Sequence, residues 1–296
     1  MSFKSGFIAI VGRPNVGKST LLNAVLGEKV SIVSSKPQTT RTRIRGIKNM
    51  ENGQLVFMDT PGVHAKKGLL NAFMLKEALS SMTEVDAVLL VVEAGLPPAE
   101  DERFVLENLK AGTIPVILAI NKVDAVDKRQ LLPLIDGYSK LFGFSRIIPV
   151  SALKKDGIEI LLNSLLDVLP EGPGYFPPDM HTDQFERFMA GEFIREKVFE
   201  LMRDEIPYSS AVVIEEFKER PKKNLISIKA VINVEKDSQK GIIIGKGGAM
   251  LKKIGTQARQ ELERVFGAKV YLELFVRVAR DWTKDKQALK GFGYSH

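Results

Sequence analysis

The sequence predicts an α/β domain, with a mostly parallel sheet between helices, followed by a smaller α+β domain. Three observations predict it. Apolar strand-like runs alternate with amphipathic helical patterns through the first half. Four prolines and two glycines crowd into the nine residues Pro170–Pro178, which can continue neither element. Beyond that break the pattern changes to helix, two strands, a glycine-rich turn inside helical sequence, and a last strand.

The apolar runs are Phe7–Val11, Leu55–Met58, Ala87–Val92, Val116–Ile120 and Ile147–Val150. They are nearly continuous in Val, Ile and Leu, as parallel strands covered on both faces require. Helical patterns lie between or after them at Lys18–Leu26, Asp101–Leu109, Lys128–Phe142 and Ile158–Leu169. The expected first domain is 1–172, with a linker at 173–183 and a second domain at 184–296. In the second, Gln184–Arg203 reads as a helix, Ala211–Phe217 and Leu225–Val234 as strands, and Gly241–Arg264 as helical sequence broken by a glycine turn. A strand at Lys269–Val276 and a short terminal helix complete it.

Composition excludes several chemistries. The 296 residues contain no cysteine and three histidines, which removes disulfides, thiolate metal sites and cysteine nucleophiles. No apolar stretch is long enough to span a bilayer, and Met1-Ser2-Phe3-Lys4 leads straight into an apolar run without a signal-peptide pattern. A cytoplasmic protein is expected. The net charge of +7 is unevenly placed: residues 239–296 hold 12 Lys/Arg against 5 Asp/Glu. A basic final fifth points to a polyanionic partner.

The first chemical motif follows the first strand and opens the first helix: Gly12, Arg13, Pro14, Asn15, Val16, Gly17, Lys18 and Ser19, then Thr20. This is the G-x-x-x-x-G-K-S/T phosphate loop in its required context. Backbone N–H groups can turn around the β-phosphate and the helix dipole favours the anion. Lys18 is expected on the β- and γ-phosphates and the Ser19 hydroxyl on Mg²⁺.

The base is read from Asn121, Lys122 and Asp124 at the end of the Val116–Ile120 run. An Asp carboxylate accepts two hydrogen bonds from the guanine N1–H and exocyclic amine. Adenine offers an acceptor there, so ATP would leave the carboxylate facing a lone pair. The Lys122 stem can lie over the ring, and Asn121 can tie the base loop to the phosphate loop. Ser151 and Ala152, just past the last strand of this domain, form the expected companion loop, with the Ala152 N–H assigned to guanine O6.

Asp59, Thr60, Pro61 and Gly62 follow the Leu55–Met58 run. Asp59 is expected to hold Mg²⁺ through a water, and the Gly62 N–H to bond the γ-phosphate. Thr40 is the expected second hydroxyl ligand, with Thr39 as fallback. Residues 33–45 and 63–70 are then the segments that the γ-phosphate orders.

These five motifs in this order resemble the translation-factor-like GTPases. That resemblance implies GTP hydrolysis, with GTP, GDP and Mg²⁺ as ligands and Lys18, Asn15 and Thr40 as the catalytic set. One position departs from Ras-like relatives: Val63 stands where they carry a water-orienting glutamine, so slow hydrolysis is expected. Asn15 matches the position at which related GTPases bind K⁺, and K⁺ stimulation follows from the match.

In the second domain, Ile244, Gly245, Lys246, Gly247 and Gly248 run into Lys252 and Lys253 on a helix start. Gly-x-x-Gly between two helices, in this element order, resembles the type II KH domain, whose loop clamps single-stranded RNA backbone. Ile242–Ile244, Leu251 and Ile254 are expected to line its apolar groove.

Both halves together resemble the Era family of ribosome-assembly GTPases. The stretches Tyr175–Asp179, Thr182–Phe188, Ile194–Glu196 and Glu205–Ser209 carry the match beyond the motifs. The family implies binding of the 3′ end of 16S rRNA during 30S subunit maturation, by a monomer. It also implies peripheral contact with the cytoplasmic face of the inner membrane, although Trp282, in the amphipathic terminal region, is expected to pack on its domain. Two other readings stay open on the residues alone. One is a metabolic phosphate-loop enzyme, which a GTP-against-ATP binding comparison would decide. The other is a GTP-dependent protein-interaction, membrane or cell-division switch whose Gly-x-x-Gly module binds no rRNA.

Overall fold

The computed structural model describes residues 2–63, 68–110, 112–184 and 186–294. Two compact units result: Met1–Lys67 with Asn71–Asp183, and Gln184–His296 with Gly68–Leu70.

The first unit is built on six strands: β1 (Lys4–Val11), β2 (Ile44–Met50), β3 (Gly53–Asp59), β4 (Ala87–Glu93), β5 (Val116–Asn121) and β6 (Arg146–Pro149). Their order is β2-β3-β1-β4-β5-β6. Every pairing is parallel except β2 on β3. The runs are apolar on both faces because both faces are covered. Ile8, Ile10, Leu89 and Ile117 face one core with helices α1 (Lys18–Leu26) and α5 (Ile158–Val168). Ala9, Val11, Val88, Leu90 and Leu118 face the other, with Ala78 of α2 (Leu69–Ser81), Val105 and Leu106 of α3 (Glu100–Leu109) and Tyr138 of α4 (Leu131–Ser139). Parallel strands place every loop that follows a strand on one edge of the sheet, where ligands bind in open α/β sheets.

The segment after α5 is tied down along β2 and β3. Gln54, 2 % exposed, accepts from the Tyr175 and Phe176 N–H groups at 2.7 and 2.9 Å and donates to the Phe176 carbonyl at 2.8 Å. Further along, the Ile47 N–H donates to the His181 carbonyl at 2.8 Å, and the Thr182 hydroxyl to the Arg45 carbonyl at 2.6 Å. The prolines and glycines thus form a strap on the β2 edge, satisfying backbone groups that an edge strand leaves open.

The second unit has α6 (Glu186–Leu201), β7 (Ala211–Arg220), β8 (Leu225–Val234), α7 (Asp237–Ile244), α8 (Ala249–Phe266), β9 (Lys269–Val278) and α9 (Lys286–Gly291). The sheet order is β7-β8-β9, antiparallel then parallel. Alternate β8 residues Ile226, Ile228, Ala230, Ile232 and Val234 are buried, as are Phe193 of α6 and Ile254, Ala258 and Leu262 of α8. Trp282 is fully buried, its indole N–H donating to the Ser209 carbonyl at 2.8 Å and its ring stacking on Tyr294. No helix among the described residues is long and apolar enough to cross a membrane.

Candidate nucleotide site and RNA loop

At the strand ends of the first unit, the phosphate loop joins β1 to α1 and walls a cavity of about 320 Å³ together with Ile32–Ser35, Thr39, Thr40, Gly62 and Lys122. Lys18, 6 % exposed, donates to the carbonyls of Gly12 and Arg13 at 3.0 and 2.8 Å. Burial pulls its ammonium down to about 8 against the opposing effect of the Asp59 carboxylate. The same burial pushes the Asp59 carboxyl up, resisted by Ser19, Lys18, Ser31 and Thr40. Burial that disfavours both charges is best offset by a polyanion and its cation entering together.

Three expected metal ligands converge. The Ser19 hydroxyl donates to Asp59 Oδ2 at 2.7 Å and lies 3.0 Å from Thr40 Oγ1, which is 3.4 Å from the same carboxylate oxygen. Asp59 Oδ1 is buried without a hydrogen-bond partner. Two hydroxyls, a carboxylate and an orphaned carboxylate oxygen suit a hard cation such as Mg²⁺. Among the described residues no group of three His, Cys, Asp or Glu offers another metal site. The Thr39 hydroxyl instead donates to the Lys36 carbonyl at 2.6 Å within its own turn. Ser31 had no motif to mark it, yet its buried hydroxyl donates to Asp59 Oδ2 at 2.8 Å.

The base loops are locked to the phosphate loop. Asn121 donates through Nδ2 to the Val16 carbonyl at 2.9 Å and accepts the Ala152 N–H at 3.0 Å. The Ala152 N–H assigned from sequence to guanine O6 is therefore engaged by Asn121 in this structure. A Cβ on Gly17, whose φ is +95°, would meet Asn121 Nδ2 at 2.3 Å, so the close approach requires glycine. Ser151 donates to Asp124 Oδ1 at 2.5 Å, which orients the carboxylate expected on the base. Lys122 pairs with Glu93 at 2.8 Å, holding its stem in place.

Asn15, in the left-handed region at φ 66°, donates to the Ser35 carbonyl at 2.8 Å and so touches the 33–45 loop. Thr60 donates to the Ile10 carbonyl at 2.7 Å, a structural role within the motif. Val63 is buried and its N–H donates to the Gly12 carbonyl at 3.2 Å. Residues 64–67 of the expected 63–70 segment, and Phe185 of the Thr182–Phe188 stretch, lie outside the described residues.

In the second unit, α7 ends at Ile244 and the loop Gly245–Gly248 leads into α8. Gly245 is held by sterics: at φ +71° a Cβ would meet Met250 Cβ at 2.8 Å. Gly247, at φ +60°, has nothing within 4 Å of that position. Beside the loop a groove of about 390 Å³ is walled by Leu251, Lys252, Gly255, Arg259, Leu272 and Leu274. This corrects part of the sequence reading. Ile243 and Ile254 are fully buried core residues and Ile242 is exposed, while Leu272 and Leu274 of β9 supply the apolar wall. Residues on one helical stripe and on one strand face meet there, and strand pairing had to be known to join them.

A six-strand sheet of this order, a phosphate loop, a guanine-type base loop and a second unit with a Gly-x-x-Gly turn define a GTPase joined to a KH domain. Family models agree: residues 7–122 match the 50S ribosome-binding GTPase family and 205–283 the KH domain. GTPase Era of Syntrophus aciditrophicus (strain SB) is 56% identical over 294 residues, covering 99% of this chain and 96% of that one. GTPase Era of Geotalea daltonii is 57% identical over 292 residues, covering 99% and 98%. The crystal structure of Era in complex with MgGDPNP and nucleotides 1506–1542 of 16S ribosomal RNA matches at a TM-score of 0.95 and 44% identity, over 99% of this chain and all of that one. An Aquifex aeolicus Era variant bound to GDP·AlF4⁻ matches equally, at 0.95 and 44%. The chain belongs to the Era family of GTPases.

Proposed function

We propose that this GTPase is a switch that binds the 3′ end of 16S rRNA and assists 30S subunit assembly. The Gly245–Gly248 loop carries the reading. It presents an unobstructed glycine beside a groove with Lys252 and Arg259 on its wall, in a chain 44% identical over its length to an Era bound to that RNA segment. Lys246 and Lys253 would add charge for the backbone, and Leu251, Leu272 and Leu274 would take the bases.

In the nucleotide site, Lys18 would contact the β- and γ-phosphates. Ser19, Thr40 and, through a water, Asp59 would hold Mg²⁺, which neutralises phosphate charge when bound. The backbone N–H groups from Asn15 to Thr20, with that of Gly62, would line the phosphates, while Asp124, Lys122, Asn121, Ser151 and Ala152 would frame guanine. Thr40, carried by the 33–45 loop, lies 3.0 Å from the Ser19 hydroxyl, so occupancy by triphosphate and Mg²⁺ would hold that loop in place. The loop leads directly into β2, and β2 carries the strap that ends at Asp183. That gives the nucleotide state a route of paired backbone toward the second unit. By linkage, RNA would change GTP affinity by the same factor.

Hydrolysis would be slow, since the buried Val63 has no group to orient water, and K⁺ held through Asn15 would raise it. Residues 173–183 would link the two domains, the protein would act as a monomer, and the cytoplasm would be its place of work. The fully buried Trp282 offers no membrane anchor. Crosslinking to RNA in cell extract tests the reading. Recovery of the 16S 3′ segment by the wild type and its loss in Gly247→Asp is expected. Recovery of no ribosomal fragment would favour a protein-interaction module. Hydrolysis assayed in KCl against NaCl tests the K⁺ proposal, and equal rates would remove it.

A further inference from the structure

Glu102 lies in the first turn of α3, fully buried, 89 residues along the chain from the phosphate loop it touches. Three donors converge on its carboxylate. Oε1 accepts from Arg13 Nε at 2.7 Å; Oε2 accepts from the Ala99 N–H at 2.7 Å and from the Tyr138 hydroxyl at 3.0 Å. Burial and the adjacent Glu102 carboxylate push the Tyr138 phenol well up, so it remains a donor. The Ala99 bond caps the helix, a task that one oxygen completes. The other oxygen faces the phosphate loop, and a helix cap alone gives it no purpose there.

Arg13 is the residue whose own carbonyl, with that of Gly12, anchors the Lys18 ammonium. Its side chain is about one-quarter exposed, against a Glu102 side chain that is wholly enclosed. A long, water-facing side chain at the second position of a tight glycine loop would ordinarily leave the loop backbone free to shift. Pinning Nε to a buried carboxylate in a rigid helix removes that freedom.

We propose that Glu102 is a positioning residue for the phosphate loop: by fixing Arg13 it holds the two carbonyls that aim Lys18. The inference rests on the reading of Lys18 as the lysine that meets the β- and γ-phosphates. It adds to that reading a helix outside every nucleotide motif, whose buried acid sets how well the triphosphate is held.

Glu102→Gln separates this role from capping. All three partners are donors, and a glutamine has one oxygen to offer them. With that oxygen kept on the Ala99 N–H, its amide N–H₂ is turned toward Arg13 and releases it. Tyr138→Phe removes a donor and leaves the Arg13 pair intact. The measurements are affinity for a fluorescent GTP analogue, kcat and KM for GTP, and melting temperature. Glu102→Gln is expected to weaken the GTP analogue about tenfold and raise KM in step, an effect typical of coupled neighbours. Tyr138→Phe is expected to lower the melting temperature while affinity stays within about twofold. The double variant with Arg13→Ala is expected to bind no worse than Arg13→Ala alone. A Glu102→Gln protein that melts lower yet binds GTP like the wild type would overturn the inference, as would fully additive losses in the double variant. Should Glu102→Gln fail to fold, Arg13→Ala, which leaves the α3 cap untouched, carries the test, and unchanged GTP affinity in it overturns the proposal. Failure of Lys18→Ala to weaken GTP would instead remove the underlying reading of the phosphate loop.

Discussion

The proposed nucleotide site and the Gly245–Gly248 loop are both read as receivers of phosphate-bearing ligands, yet they are built differently. Around the nucleotide, side chains from distant segments hold one another: Asn121 on Val16 and Ala152, Ser151 on Asp124, Ser19 and Ser31 on Asp59. Among the described residues the Gly245–Gly248 loop has no such net of side chains. Its shape comes from positive-φ glycines, the steric fit of Gly245 against Met250, and local backbone bonds from the Gly245 and Gly248 N–H groups to the Gly241 and Gly245 carbonyls. The first is prearranged for one ligand, and substitutions there disturb binding through the net. The second keeps an open backbone face, with nothing within 4 Å of a Cβ on Gly247, and the proposed reading then assigns sequence selection to the adjoining groove.

Four substitutions break or sharpen that contrast. The largest effect is expected from Asp124→Asn. Ser151 can still orient the new side chain, but its amide donates where guanine also donates. GTP affinity should fall by about a thousandfold or more, with xanthosine triphosphate gained, as competition binding would show. Gly17→Ala comes next. The left-handed φ and the 2.3 Å encounter with Asn121 should cost about a hundredfold in GTP affinity, and unaltered binding would show that the base loop yields. For Gly247→Asp the Cβ meets open space and Asp tolerates this φ. The fold and GTP affinity should persist while oligonucleotide affinity drops about tenfold or more through phosphate repulsion. Loss of GTP binding as well would mean the two sites are not separate modules. Smallest is Gln54→Ala on β3, which strands the Tyr175 and Phe176 N–H groups of the strap. About 1–3 kcal/mol of stability should be lost in denaturant unfolding, GTP affinity should hold, and the GTP-dependence of RNA binding should shrink.

Much of the nucleotide site was legible in the sequence because each motif is short and contiguous and sits at the end of an apolar run. Lys18, Ser19, Asp59, Asn121 and Asp124 fall where their spacing places them. Two elements gave no comparable signal. β2 is an edge strand, and Arg45, Lys48 and Asn49 interrupt its apolar residues because the strap, not a core, covers part of it. α2 lacks a one-sided apolar stripe. Ser31 and Glu102 were illegible for a different reason: each acts through a partner 28 or 89 residues away in the chain, and no local pattern encodes that. A glutamate at the third position of a helix lacking a Ser or Thr cap was the one available hint for Glu102. The KH groove was half legible, since its glycine loop is contiguous while its wall comes from pairing α8 with β9.

A switch of this kind requires coupling between nucleotide state and RNA. A fluorescent oligonucleotide from the 3′ end of 16S rRNA, titrated at fixed salt with a non-hydrolysable GTP analogue and again with GDP, measures it directly. Tighter binding with the analogue, in a ratio that Gln54→Ala reduces, is the expected result. Equal affinity in the two nucleotide states would contradict a switch, and no affinity in either would remove RNA as the ligand.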